Sequence, residues 1–223
     1  MATGQDRSVK ELFVVYHRLL SFFGEQGWWP AETPFEVMVG AILTQNTAWR
    51  NVERAIACLK EEQVLTPQGM HRIKEKRLAR LIRPAGYYNV KARRLKEFIG
   101  FLNREYGGDL QRMFNEPLSP LREKILRVKG VGQETADSIL LYAGEKPIFV
   151  IDAYTKRVLS RHGVIMDGAS YKAIQDLFMR SLPEDVAVYK EYHALFVQLA
   201  KTFCKTTPLC TGCPLERDGL SRA

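Results

Sequence analysis

Residues Leu121 to Leu159 read LREKILRVKGVGQETADSILLYAGEKPIFVIDAYTKRVL. Two helical patterns flank a tight turn, Val128-Lys129-Gly130-Val131-Gly132, and an apolar segment, Ile148 to Ile151, then brings Asp152 to the start of another helix. Ala136, Ile139, Leu140 and Ala143 recur at helical spacing, which predicts one buried face. Two glycines two apart permit a sharp turn and a close backbone approach to a partner. Free backbone N–H groups at the following helix start suit an anion such as a DNA phosphate. On spacing alone, an ordinary helix–turn–helix corner explains the same residues, because a short Gly-x-Gly motif is weak evidence.

Charge points the same way as the turn. The 223 residues carry a formal charge of +8 and a pI near 9.3, a balance that favours a polyanionic partner. From Arg72 to Lys96 there are ten Lys or Arg against a single acid, Glu75. This is either a basic footprint or a solvated helix face. No apolar run is long enough for a membrane span. The first residues, MATGQDRSVKELF, lack the apolar core of a signal peptide, so a cytoplasmic protein is expected. Four cysteines in such a chain argue for thiols or a metal site over a disulfide framework.

Working outward, helical periodicity predicts an all-α fold of about ten or more helices. A first helix over Ser8 to Phe23 keeps Leu12, Val15, Leu19 and Phe23 on one face and stops at Gly24 and Gly27. Trp28-Trp29-Pro30 follows, either core packing or a stacking wall for a base. An almost wholly apolar helix, Phe35 to Leu43, ends in the polar cluster Thr44-Gln45-Asn46-Thr47, and Ala48 to Glu61 resumes with Val52, Ala55, Ile56 and Leu59 inward. Short helices over Thr66 to Ile82 and a long one over Val90 to Tyr106 come next. Gly107-Gly108 and Pro117 to Pro120 bracket a connector ahead of the turn motif. After Asp152, helices are expected to Arg161, over Tyr171 to Leu182, and from Val186 to about Phe203.

The string KGVGQETAD followed by an apolar segment and Asp152 resembles the helix–hairpin–helix motif, loop and aspartate of the endonuclease III superfamily of DNA glycosylases. The likeness recurs in PFEVMVGAILTQNTAWRNVERAI, in AGYYNVKARRL and in the cysteine-bearing tail, and so spans nearly the whole chain. It implies two helical lobes, 1–24 with 124–223 and 25–123, with a substrate cleft between them. It implies a monomer acting on double-stranded DNA with a damaged base. Lys129, Gly130, Val131 and Gly132 would contact DNA, and Gln45 matches the glutamine that such enzymes push into the gap left by a flipped base.

Excising a base gives the sugar oxocarbenium character, and a carboxylate beside it stabilises the charge and orients or deprotonates water. Asp152 holds that place in the resemblance, although an aspartate before a helix is also an ordinary cap. Lyase-competent relatives form a Schiff base through a lysine in the second residue after the last hairpin glycine. Here Glu134 stands there, and Lys129, ahead of the glycines, is not its equivalent. A glycosylase without lyase activity is therefore expected, with Asp152 and Glu134 as the catalytic candidates. WWP, LTQNT-x-W and Glu134 together look like the 3-methyladenine DNA glycosylases of the endonuclease III type, with Trp28, Trp29 and Trp49 stacking on a cationic purine. A lyase-competent enzyme for oxidised pyrimidines and a non-catalytic DNA-binding module are the alternatives.

Relatives with a 4Fe-4S cluster space four cysteines C-x6-C-x2-C-x5-C. This tail offers Cys204, Cys210 and Cys213, its first gap one residue shorter, with Gly219 at the fourth place. A cluster needs four ligands, so a 4Fe-4S cluster, a three-cysteine or zinc site and a vestigial loop all remain open. Catalysis requires no cofactor in any of the three.

Overall fold

An otherwise apolar decapeptide with a proline at its start and Glu36 as its one charged residue favours a helix buried along nearly its whole length. Pro34–Leu43 is that helix (α2), capped by Thr33, whose hydroxyl accepts from Glu36 N at 3.1 Å. The computed structural model describes residues 4–216, with side-chain surroundings from Leu12 onward. Among the described residues there are twelve α-helices and no strand, so the fold is all-α.

The chain forms two compact units, Met1–Pro30 with Pro147–Ala223 and Ala31–Lys146, called here the terminal and central units. These boundaries are drawn differently from the expected lobes: the hairpin segment 124–146 belongs with the central unit. The physical reason is the apolar run after the hairpin. Ile139, Leu140 and Leu141 are fully buried and pack with α2.

Within the central unit, α2 is followed by α3 (Trp49–Glu61), α4 (Pro67–Arg72), α5 (Glu75–Leu81), a 3-10 turn at Arg83–Ala85 and α6 (Tyr88–Tyr106). Next come α7 (Leu110–Phe114), α8 (Leu118–Leu126) and α9 (Gln133–Ser138). The connector between Gly107 and Pro117 is thus partly helical, because Asp109 caps Arg112 N at 3.1 Å. Pro120 sits inside the first turn of α8, where helical N–H groups have no intrahelical acceptor to lose. The expected face Ala136, Ile139, Leu140, Ala143 is buried, but α9 widens into a π turn at Ile139–Ala143, closed by Gly144 N on Ile139 O at 3.1 Å. Glu116 and Lys124 pair at 2.6 Å, and Arg122 grips the wholly buried Asp137 with two bonds of 2.7 and 3.1 Å, tying α8 to α9.

A buried lysine fixes α2 at its far end. Lys91 on α6 is 1% exposed, and its ammonium donates to Leu43 O at 2.8 Å and Ala85 O at 2.9 Å. Burial, with Arg94 nearby, pulls its pKa down to about 8.

The terminal unit consists of α1 (Gly4–Phe23), the extended segment Ile148–Ile151, α10 (Ala153–Arg161), α11 (Tyr171–Ser181) and α12 (Val186–Thr202). Its core is aromatic. Phe149 stacks on Phe178 with centroids 4.1 Å apart, Tyr192 stacks on Phe196 at 4.7 Å, and the Tyr192 hydroxyl donates to Leu12 O at 2.8 Å. The three terminal-unit helices expected after Asp152 are present within a residue of the expected ends. No helix among the described residues is long and apolar enough to cross a membrane.

Candidate active site

The segment Ile148–Ile151 is buried throughout, and an extended buried segment must place its backbone polar groups somewhere. Helix α11 supplies partners: Gln175 Nε2 donates to Phe149 O at 2.7 Å, and Ile151 N donates to the Tyr171 hydroxyl at 3.3 Å. Asp152, next in the chain, is therefore delivered from a fixed base. One carboxylate oxygen accepts from Thr155 N at 2.7 Å and caps α10, and the other lies 3.6 Å from His193 Nε2 on α12. Burial raises the Asp152 pKa, but His193 and the Thr155 N–H outweigh it and hold it below the ordinary carboxylate value. At neutral pH the site thus holds an ionised carboxylate in a water-poor surrounding, where a charge acts on a nearby cation far more strongly than in water. Asp152 is both a cap and a site candidate, and the cap uses only one of its two oxygens.

Sequence reasoning did not single out His193. Its signal was there: one histidine in a helix whose neighbours Tyr189, Tyr192 and Phe196 are all buried, a place that demands a polar partner.

Trp28 and Trp29 come together in the terminal unit, half-buried, ring centroids 5.7 Å apart and tilted by 55°. Lys201 lies 5.4 Å from the Trp28 ring centroid, so the protein already places a cation over that ring. Trp49 belongs to the central unit and donates its indole N–H to Glu53 at 2.8 Å, one turn along α3.

Also in the central unit, Gly130 adopts φ +89°, a conformation that disfavours any side chain, and a Cβ there would collide with the stem of Arg94. Gly132 differs. Its φ is −94°, a Cβ would meet nothing within 4 Å, and it stands at the N-cap of α9 with no side-chain cap. Nothing inside the protein requires glycine at 132. Lys129 and Glu134 are exposed, while Val131 is buried and anchors the turn. Gln45 sits against this turn: its Nε2 donates to Gly130 O at 3.1 Å and to Thr135 Oγ1 at 3.0 Å, and its Oε1 accepts from Arg94. The basic stretch from Arg72 to Lys96 is partly structural. Lys91 is buried as described, Lys96 donates to the carbonyls of Met70, His71 and Ile73 at 2.7 to 3.0 Å, and Arg77 pairs with Glu62.

A hairpin with a bare helix start, an apolar segment and a capping aspartate run in that order through the part of the chain that matches a family model. The model for the HhH-GPD superfamily of base excision DNA repair proteins matches residues 39–184. The chain belongs to the HhH-GPD superfamily. A Methanocaldococcus jannaschii protein named as a DNA repair glycosylase is 48% identical over 98% of this chain and 100% of its own length. A thymine-DNA glycosylase of Aeropyrum pernix is 27% identical, covering 96% of this chain and 93% of that one. Among solved structures, the H. pylori 3-methyladenine DNA glycosylase bound to 1,N6-ethenoadenine superposes with TM-score 0.75 at 27% identity, covering 87% of this chain and 97% of that one. This HhH-GPD protein is accordingly a DNA glycosylase, an enzyme of base excision repair.

In the HhH-GPD chain the cysteine tail can be tested against a four-thiolate cluster. Cys204 is buried, its carbonyl accepts from Arg157 at 2.7 Å, and Arg161 reaches its sulfur at 3.4 Å. Cys210 is exposed and Cys213 half-buried; burial pushes the Cys213 thiol up, and Cys210 and Cys204 add to it. Gly219, at the fourth place, lies outside the described residues. Cys58, the remaining cysteine, belongs to the central unit. Among the described residues no three His, Cys, Asp or Glu side chains are grouped to hold a metal. Three thiols, one already approached by a guanidinium, do not fit a cluster that needs four.

Proposed function

We propose that this glycosylase hydrolyses the N-glycosidic bond of alkylated purines such as 3-methyladenine in double-stranded DNA, acts as a monomer, and does not cut the strand. The observation that carries the proposal is Asp152, a buried carboxylate kept ionised by His193 and Thr155 at the start of α10. As the C1′–N bond breaks, the sugar becomes cationic, and the Asp152 charge stabilises it. Water then adds to C1′, its proton passing to Asp152, and the base leaves with the bond's electron pair. Glu134 in the place of an amine nucleophile supports hydrolysis without a Schiff base. A positively charged alkylpurine is a good leaving group and needs little acid assistance. The half-buried pair Trp28–Trp29 supports stacking on such a base, and the likeness to a 3-methyladenine glycosylase points the same way.

A second reading has its own support. The thymine-DNA glycosylase relative is matched over almost its full length, and a further relative is named a thymine/uracil-DNA glycosylase, which favours thymine or uracil as the released base. Duplexes carrying 3-methyladenine, or thymine or uracil opposite guanine, separate the two when released base is resolved by chromatography, with and without alkali. Methyladenine release with nicking only after alkali is the expected result. Release of thymine or uracil alone would establish the second reading, and a borohydride-trapped covalent adduct would overturn the absence of lyase activity.

A further inference from the structure

Helix α6 carries two basic side chains one turn apart, Lys91 and Arg94, that hold the two ends of one loop. Lys91 binds the carbonyl of Leu43, the last residue of α2, and so anchors the base of the loop. Arg94 binds the side-chain oxygen of Gln45 near its tip. That leaves both amide hydrogens of Gln45 to donate, and both do, one to Gly130 O and one to Thr135 Oγ1. A primary amide has two donors and an oxygen with two lone pairs, so both donors of Gln45 are spent on the hairpin and one lone pair on Arg94. Arg94 also touches the hairpin directly, because its stem lies where a Gly130 side chain would be. An uncharged amide at this place has a second use: an acid could accept from Arg94 but would face the Gly130 carbonyl with a like partial charge.

We propose that Gln45 and Arg94 are positioning residues, a strut from α6 through the loop to the hairpin that fixes the backbone turn presenting Gly130 and Gly132 to DNA. The guanidinium sets which way the Gln45 amide faces. The amide then holds the Gly130 carbonyl and Thr135, on either side of the bare start of α9. A glutamine engaged in two hydrogen bonds to the hairpin and one to Arg94 serves the turn's geometry, and a duplex contact by the same side chain would require these bonds to break. The role in DNA contact rests on the function proposed above; the strut itself is a property of the DNA-free protein.

The test uses the full chain with Q45A, Q45E, R94M, R94K and the double variant Q45A/R94M. Hydrogen exchange of the Val131 and Ala136 amides, which donate to Val128 O and Gly132 O, is measured without DNA, and affinity is measured for undamaged and abasic-site duplexes. The expected result is faster hairpin exchange in Q45A, Q45E and R94M, by about tenfold for the loss of a hydrogen bond or two. Affinity for both duplexes should fall by a similar factor, the double variant being no worse than either single one, and R94K should recover much of the loss. Unchanged hairpin exchange in Q45A and R94M, with Q45A weakening only abasic-site binding, would overturn the strut and make Gln45 a duplex-entering residue. Additive losses in the double variant would also overturn it. Failure of the wild type to bind either duplex would count against the proposed function alone, since exchange in the free protein still decides the strut.

Discussion

Two helix starts, twenty residues apart in sequence, are built in opposite ways. At Gly132 the chain enters α9 with no side-chain cap and open space where a side chain would be. At Asp152 it enters α10 with a buried carboxylate bonded to Thr155 N. Both expose the same orphan N–H groups and the same positive end of a helix. On the proposed function the first leaves them to an external anion, and the second satisfies one of them with an anion of its own. The contrast teaches that a missing cap can be as informative as a present one. Glycine at 132 gives the isolated protein nothing that serine or aspartate would not improve, whereas aspartate at 152 gives it a cap and turns its second oxygen toward His193.

Making the two starts chemically less distinct breaks the comparison in a graded way. Asp152→Asn keeps the cap, since Asn serves there about as well as Asp, and removes the charge. Base release should fall by at least about a hundredfold while lesion affinity stays close to wild type and the melting temperature at neutral pH falls only slightly, by the stability the carboxylate charge contributes. Near-normal turnover would reduce Asp152 to a cap. The reciprocal change, Gly132→Asp, gives α9 the cap it lacks. Stability should hold or rise by a few tenths of a kcal/mol, and duplex affinity should drop by about ten- to a hundredfold as a charged contact is lost. Unchanged binding to damaged and undamaged duplex alike would show that the bare start faces no phosphate.

Two smaller effects follow from buried charge. The Asp152 pKa is held below the ordinary 3.8, so its contribution to stability is present above that value and lost as pH falls through the lower folded one. Melts of wild type and Asp152→Asn across the acid range should therefore converge below about pH 3.8, and a constant gap down to lower pH would contradict the shift. Lys91 carries the opposite sign. With its pKa lowered to about 8 from 10.5, the unfolded chain binds more protons between those values, so stability rises with pH across that window. Lys91→Met should remove this slope, and the two melting curves should differ most in pH dependence between about 8 and 10.5. Identical slopes would mean that Lys91 stays charged in the fold.

Much of this was legible in the letters. Helical periodicity and proline and glycine punctuation gave the all-α fold, and the apolar run of α2 announced its own burial. Asp152 was visible because a polar residue ends an apolar segment directly before a helix. What periodicity does not encode is partnership across long separations. His193 lies forty-one positions from Asp152, and Arg94 and Gly130 are far from Gln45, so the histidine and the arginine read as ordinary core or surface residues, and Gln45 reads as a residue that enters DNA with no sign of its bonds to the hairpin. Lys91 is the sharpest case: inside a ten-residue basic tally it looks like one more exposed charge, and its burial depends on two carbonyls at the ends of other elements. The π turn at Ile139–Ala143 was equally hidden, because its apolar spacing matches an α-helix for a single turn.

The discontinuity of the terminal unit has a consequence for biosynthesis. The central unit is complete once Lys146 has been made, whereas α1, synthesised before it, packs with α12, whose last residue is Thr202. At roughly 5–20 residues per second, the ribosome leaves α1 without that partner for several seconds after the central unit is finished. Its buried face, Leu12, Val15 and Leu19, must wait in the open during that interval. Slow translation at any point between α1 and Thr202 would lengthen the wait, and with it the interval in which nascent protein is open to misfolding or to chaperone capture.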